Sequence, residues 1–196
     1  MENNLYKAIR VGIVIMKSSK TIRLNLGAGW RPIPGYTNHD IVKLKGIDIT
    51  FDLNIFPWPY KDNSVDEVRM HDVLEHLDNV VQVMREVHRI LKPGGFVNLL
   101  VPHWNSNGPY YDPTHKHAFG FTTFEYFCKG YKPEFHYYFD FQFSKLRRHI
   151  HFPGGLQIWN RVIEFLVNLS PCLSMIYETT PLKIFPSEGI EIWLTK

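Results

Sequence analysis

The stretch Leu24-Asn25-Leu26-Gly27-Ala28-Gly29-Trp30 decides how the rest of the chain is read. An apolar run from Ile22 to Leu26 stops abruptly at Gly-Ala-Gly. That is the pattern of a buried strand delivering a turn without side chains to one end of a sheet. Glycines at such a turn let a ligand lie close against the backbone. In open α/β sheets ligands bind beyond the carboxyl ends of the strands. On its own a Gly-x-Gly is as readily a plain turn as a binding loop, so the neighbouring sequence has to decide.

Working outward, Tyr36 to Asp40 reads as a short second strand leading to Ile41. The connection Arg31-Pro32-Ile33-Pro34-Gly35 holds two prolines and a glycine, which forbid a full crossover helix. Residues 47–53 read as a third strand ending near Asp52, Phe56-Pro57-Trp58-Pro59 as a rigid loop, and residues 64–70 as a fourth strand ending at His71. Leu77, Val80, Val81, Met84, Val87, Ile90 and Leu91 recur at helical spacing, with Asp78 or Asn79 as the cap and Lys92-Pro93-Gly94-Gly95 as the stop. Residues 96–101 are almost wholly apolar, as in a strand buried on both faces. The alternation predicts an α/β, doubly wound, mainly parallel sheet. Beyond it, residues 102–120 read as a long loop and Thr122-Thr123-Phe124-Glu125 as a capping-box start to a short helix through Cys128. Residues 135–143 alternate aromatic and polar as a strand would, residues 156–169 read as a helix, and residues 189–194 as a closing strand.

The 196 residues suffice for one domain, 1–196, with a sizeable core. Residues 1–20 are expected to cover the sheet edge, 22–101 to form the half that carries the Gly-Ala-Gly turn, and 102–196 to supply the long loop and C-terminal elements. Lys7 and Arg10 precede the apolar stretch Val11 to Met16, which is too short for a signal peptide and is closed by Lys17. No segment approaches the roughly 20 apolar residues of a membrane span. Two cysteines, Cys128 and Cys172, make no disulfide framework, so a cytoplasmic location is expected. The net charge of +3 is too weak to imply nucleic acid without a basic stripe. Lys145, Arg147, Arg148, His149 and His151 cluster either as a solvated strand end or as a patch that meets an anionic substrate.

A dinucleotide site does not fit. Pro32 stands where the third glycine of Gly-x-Gly-x-x-Gly belongs, and Asp40 arrives far sooner than about 20 residues on. No phosphate-loop Gly-Lys-Ser/Thr is present. The ordered set Leu-Asn-Leu-Gly-Ala-Gly, Asp40, Asp52-Leu53, residues 56–66, His71-Asp72-Val73-Leu74-Glu75-His76-Leu77 and Leu91-Lys92-Pro93-Gly94-Gly95 resembles a class I S-adenosylmethionine-dependent methyltransferase. It is most similar to the small type 11 proteins, over residues 22 to about 120. The resemblance implies a Rossmann-like seven-stranded sheet with an antiparallel C-terminal strand, and S-adenosyl-L-methionine as cofactor. It implies that Gly27, Ala28 and Gly29 pass under the methionine portion, with Asn25 behind them. Asp40, with Ile41 beside it, would accept hydrogen bonds from both ribose hydroxyls, which suits an acceptor-only carboxylate. Asp52 and Leu53 would meet the adenine edge, and His71 would face the sulfonium region. Asn25 replaces the usual acid, and Arg31 replaces the usual third glycine; Arg31 is expected to pair with the methionine carboxylate.

A base for a hydroxyl acceptor belongs beyond the fifth strand. There His115 or His117 suits by chemistry, with Asp112 to orient it. Asp112-Pro113-Thr114-His115 also reads as an Asx turn. His103, Asp112, His115 and His117 make a loose ligand set that matches no zinc spacing, so no metal is expected. His76 reads as structural. The leading reading is an O- or N-methyltransferase acting on a small molecule or a saccharide such as a cell-surface glycan precursor. The alternative is a methyltransferase-fold partner subunit without turnover. Nucleic-acid methylation lacks an Asn/Asp-Pro-Pro-Tyr/Phe signature. The C-terminal third would serve as core, as an oligomer face or as a peripheral membrane contact.

Overall fold

The computed structural model describes residues 21–154 and 158–196. The expected covering segment, residues 1–20, lies outside the described residues. Seven strands form one sheet: β1 (Arg23–Leu26), β2 (Thr37–Asp40), β3 (Ile49–Thr50), β4 (Val65–His71), β5 (Leu91–Pro102), β6 (Lys145–His151) and β7 (Gly189–Thr195). Their order is β3-β2-β1-β4-β5-β7-β6. The pairs among β1 to β5 are parallel, and β7 runs antiparallel between β5 and β6. The expected fold class is therefore the observed one. The register places Leu26 beside His39 and Asp40 beside Thr50, so the carboxyl ends of β1, β2 and β3 come together.

The helix α1 (Val80–Ile90) links β4 to β5. Of the two candidate caps, Asn79 is the one used: its side chain accepts from the Gln82 N–H at 3.0 Å. Val83, Met84, Val87 and Ile90 are fully buried against one face of the sheet, where Leu24, Leu26, Val68, Met70, Val97 and Leu99 meet them. Burying four such side chains contributes roughly 1.5–3 kcal/mol each, as an upper bound. The two-proline connection behaves as its composition demands. No helix joins β1 to β2, and none lies between β2 and β4 among the described residues.

The C-terminal third departs from expectation. Residues 135–143 are not a strand. Pro133–Tyr138 is a 3-10 helix, and the strand lies further on, at β6. The aromatic alternation instead builds a ring cluster in which Phe127 packs on Phe139 and Phe141 at 5.1 and 5.8 Å. The basic cluster is β6 itself. Thr123–Phe127 is a 3-10 helix without the expected capping-box bond from Thr122; Thr123 Oγ1 accepts from the Gly120 N–H instead. The long loop contains a single turn of helix, α2 (Gly108–Tyr111), and the apolar stretch gives α3 (Trp159–Val167), followed by α4 (Pro171–Thr179). Trp159, Val162, Phe165 and Leu166 of α3 are exposed.

Candidate functional site

The site begins at the turn after β1. Gly27 and Gly29 both adopt left-handed conformations, with φ of 68° and 53°. They are glycines for different reasons. A Cβ on Gly27 would come within 2.3 Å of Val73 Cγ2, so packing as well as backbone excludes any side chain there. A Cβ on Gly29 would meet nothing within 4 Å and would project into open space. The positive φ alone accounts for glycine here, and the bare backbone leaves room for a ligand to lie close. The open space is a cleft of about 140 Å³ lined by Gly27, Ala28, Gly29, Trp30, Arg31, Arg69, His71 and Asp72.

Asp40 closes β2 beside this turn. Its Oδ2 accepts from the Gly29 N–H at 2.8 Å and its Oδ1 from the Val42 N–H at 3.0 Å. Two backbone donors fix the carboxylate's direction and leave lone pairs on both oxygens for a diol. Ile41 beside it is exposed. Asp52 forms an Asx turn by accepting from the Asn54 N–H at 2.8 Å. Leu53 is buried, and its carbonyl accepts from Trp58 Nε1 at 3.1 Å. Trp58 in turn donates its N–H to Glu86 of α1 at 2.9 Å. The rigid aromatic loop thus holds the 52–53 corner against α1.

Three cleft residues were not foreseen or only partly so. Asp72 has a φ of 56°, a strained state for a non-glycine residue, at the point where β4 opens into the cleft. Its Oδ2 lies 3.6 Å from Arg31 Nη1, and Arg31 also stacks over the Trp30 ring at 4.5 Å. Arg69 donates Nη1 to Asn25 Oδ1 at 3.1 Å and Nη2 to His71 Nδ1 at 2.8 Å. Because Nδ1 accepts, His71 donates its other nitrogen to Asn98 Oδ1. Burial holds the His71 pKa below its ordinary value. Asn25 is buried; its amide donates to Asn38 Oδ1 at 3.0 Å and to the Arg31 carbonyl at 3.3 Å. Its side chain is thus committed to the protein, and it acts on the cleft by positioning Arg69 and the Arg31 backbone.

The loop after β5 is tied down by one carboxylate. Glu178 Oε1 accepts from Trp104 Nε1 at 2.7 Å and from the Phe121 N–H at 2.8 Å, and His103 Nε2 lies 3.1 Å away. Burial raises the Glu178 pKa, but these partners outweigh it and the net shift is downward. His103 is fully buried between Glu178 and Ser187, at 2.6 Å on its other nitrogen, so the ligand set weighed from sequence does not assemble. His117 shares a 2.8 Å bond with the Leu77 carbonyl. Asp112 and His115 do meet: Asp112 Oδ2 is 3.7 Å from His115 Nε2, while His115 Nδ1 donates to the Gly108 carbonyl at 2.9 Å. The Asx turn is also real, since Asp112 Oδ1 accepts from the Thr114 N–H and hydroxyl. These bonds hold the Asp112 pKa below the usual range. Glu75, unremarked in the sequence, completes the group. Its carboxyl is fully buried, its Oε1 is 3.9 Å from His115 Nε2, and burial pushes its pKa up to about 7. Only contact across the fold reveals it, through the 2.8 Å bond from the Lys116 N–H to the Glu75 carbonyl.

Residues 38–99 match the family model described as a methyltransferase domain. Over 44 residues the chain is 43% identical to an uncharacterized methyltransferase of Schizosaccharomyces pombe, a match covering 22% of this chain and 16% of that protein. Among solved structures, an S-adenosylmethionine-dependent methyltransferase from Archaeoglobus fulgidus superposes with a TM-score of 0.59, at 15% identity over 91% of this chain and 87% of that one. The YcgJ protein of Bacillus subtilis gives 0.54, at 16% identity over 90% and 92%. An S-adenosylmethionine-dependent methyltransferase from Mesorhizobium loti gives 0.51, at 13% identity over 89% and 90%. At such identities the structures show the fold, and the methyltransferase match spans Asp40 and His71, which end β2 and β4, and Asp52, just past β3. Residues 38–99 thus resemble a methyltransferase domain, the fold is shared with solved S-adenosylmethionine-dependent methyltransferases, and the open Gly29 turn and the Asp40 carboxylate are compatible with that cofactor.

Proposed function

We propose that the chain moves a methyl group from S-adenosylmethionine to an oxygen or nitrogen of a small molecule or saccharide. The observation that carries this reading is the juxtaposition of the cleft at Gly29 with the Asp112–His115 pair, along the one short segment from Asp72 to Glu75. When bound, the cofactor supplies an electrophilic methyl on a sulfonium. The chain supplies position and electrostatics. Asp40 receives the ribose hydroxyls beside Ile41, and Asp52 and the Leu53 backbone meet the adenine edge. Arg31 and Arg69, two guanidinium groups facing one cleft, attract the methionine carboxylate. Burial, aided by the charge of Arg69, lowers the His71 pKa, and bonds to Arg69 and Asn98 fix the ring at the wall. On the acceptor side His115 directs its free Nε2 toward Asp112 and Glu75, because its Nδ1 is occupied by the Gly108 carbonyl. That lone pair is the one to polarise an acceptor, and His117 serves by anchoring the loop to Leu77.

Calorimetric titration with S-adenosylmethionine and S-adenosylhomocysteine tests the cofactor half. Micromolar binding of both is expected, and absence of both sinks the proposal. Transfer of a labelled methyl group onto pooled saccharides and small hydroxylated or amino compounds tests the rest. Cofactor binding with no transfer to any acceptor would favour the partner-subunit reading.

A further inference from the structure

We propose that Glu75, His76 and His115 form a site for one divalent transition-metal cation, of the Mn²⁺ or Zn²⁺ kind, that holds a hydroxyl oxygen of the acceptor. Ligand-type atoms of the three residues lie within 4.8 Å of one another. The two imidazoles pack edge to face at 4.6 Å between centroids. A cation bound at about 2.0–2.2 Å from nitrogen and oxygen ligands needs only small side-chain adjustments to sit among them.

The first argument is an unanswered carboxylate. Glu75 has no exposed surface, and neither of its oxygens accepts a hydrogen bond. The nearby N–H groups of Val73 and of Glu75 itself favour the ionised form without closing a bond, while Asp72 and Asp112 oppose it. Buried polar groups are nearly always satisfied, and buried charges are paired or bind metals. Among the described residues no lysine or arginine pairs with Glu75. A cation is what this carboxylate lacks.

The second argument is the state of the imidazoles. His115 donates Nδ1–H to the Gly108 carbonyl at 2.9 Å, so its Nε2 carries the lone pair. Thr114 has one hydroxyl proton, and the Asp112 carboxylate can only accept, so Thr114 donates to Asp112 Oδ1 at 2.7 Å. Thr114 Oγ1 therefore accepts from His76 Nδ1–H at 2.9 Å, and His76 also keeps its lone pair on Nε2. Metal-binding histidines are held in this way, with the second nitrogen donating to a carbonyl or to a carboxylate-linked group. The cluster His149, His151 and Glu164 is a contrast. There both Glu164 oxygens are already engaged, one by His149 at 2.8 Å and the other by the Phe152 N–H at 3.1 Å.

Two imidazoles and one carboxylate suit Mn²⁺ or Zn²⁺ better than Mg²⁺, which prefers oxygen ligands and keeps its waters. Asp112, 3.7 Å from His115 Nε2, is a fourth donor on the solvent side. An acceptor hydroxyl on the remaining coordination position would be oriented and made more acidic, so the lone pair of His115 would act through the cation. This role rests on the methyltransferase reading of the cleft; the cation site itself does not.

The test uses the full chain, stripped with chelator and titrated with Mn²⁺ while free Mn²⁺ is followed by electron paramagnetic resonance. One Mn²⁺ per chain is expected to bind. Glu75→Gln and His115→Asn should each weaken it at least a hundredfold, and His149→Asn should leave it unchanged. His76→Asn, at a partly exposed position, keeps the test decisive should the buried variants fail to fold. No binding at millimolar Mn²⁺, or binding indifferent to all three site variants, overturns the proposal. S-adenosylhomocysteine affinity is measured on the same stripped samples. Cofactor bound without Mn²⁺ binding fails the cation site alone, and Mn²⁺ bound without cofactor fails the methyltransferase reading alone.

Discussion

Gly27 and Gly29 sit two positions apart in one turn, and alanine at each should break the protein differently. At Gly27 the substitution demands a left-handed alanine, which costs about 1–2 kcal/mol. It also sets a Cβ 2.3 Å from Val73 Cγ2 and 2.9 Å from Cγ1. Val73 is buried and stiff at χ1, so it cannot swing aside, and overpacking of this kind costs about 1–3 kcal/mol. Gly27→Ala should therefore lower unfolding stability by roughly 2–5 kcal/mol, read from urea denaturation. Gly29→Ala should lose only the conformational part, about 1–2 kcal/mol, because nothing lies within 4 Å of its Cβ. Its methyl group instead enters the cleft, so S-adenosylhomocysteine affinity by calorimetry should fall more than tenfold. A double-mutant cycle isolates the clash. Val73→Ala alone costs about 2 kcal/mol as a large-to-small change. In Gly27→Ala/Val73→Ala the steric part should vanish, leaving a favourable coupling of about 1–3 kcal/mol. Strict additivity would show that Val73 does not dictate Gly27. Unchanged cofactor affinity in Gly29→Ala would show that the open space is not where the cofactor lies.

Asp40→Asn keeps one acceptor for the Gly29 and Val42 N–H groups but loses the charge and half the acceptor capacity, so S-adenosylhomocysteine affinity should fall by ten- to a hundredfold by calorimetry with a near-parental urea midpoint. Burial, then the positive charge of Lys196, holds the His88 pKa below its ordinary value. The unfolded chain therefore binds the proton more readily, and stability attributable to His88 is lost as pH falls below about 6.5. His88→Gln should flatten the acid side of the stability–pH curve, and an unchanged curve would contradict the assignment. The exposed face of α3 at Val162, Phe165 and Leu166 is where self-association would occur. Phe165→Glu should then convert a dimer to a monomer by light scattering, and a parental protein already monomeric at high concentration removes that reading.

What was legible in the sequence was local. The Gly27 turn, the two-proline connection and the Asn79 cap are each specified by residues within a few positions of the element they shape. Asp40 could be placed because it ends a strand whose start is a turn. The aromatic alternation of residues 135–143 misled because alternation marks a strand only where a partner strand exists. Pro133 instead opens a 3-10 helix, and the rings find one another rather than a sheet face. Glu75 was hidden for the opposite reason. On a short helical turn between Leu74 and His76 it reads as surface, and only the returning loop at Lys116 and His115 buries it.

Asn25 in place of an acid follows from the missing crossover helix. With no helix joining β1 to β2, the second face of the sheet carries polar side chains that satisfy one another across the strands. Asn25 bonds Asn38 on one side and Arg69 on the other; Arg69 bonds His71, His71 bonds Asn98, and Asn98 donates to Glu191 at 2.9 Å. Glu191 then meets His151 at 3.0 Å, so the chain of bonds crosses from β2 to β6. The position at Asn25 needs two donors, for Asn38 Oδ1 and the Arg31 carbonyl, and one acceptor, for Arg69. An amide has that inventory, and a carboxylate, which accepts only, does not. An acid there would lose both donated bonds and face two acceptors, leaving Asn38 Oδ1 with the Ile33 N–H alone at 2.7 Å. Asn25, Arg69 and the proline-rich connection are therefore one adaptation: the connection opens this face to polar residues, the amide joins them, and the joined arginine lines the cleft.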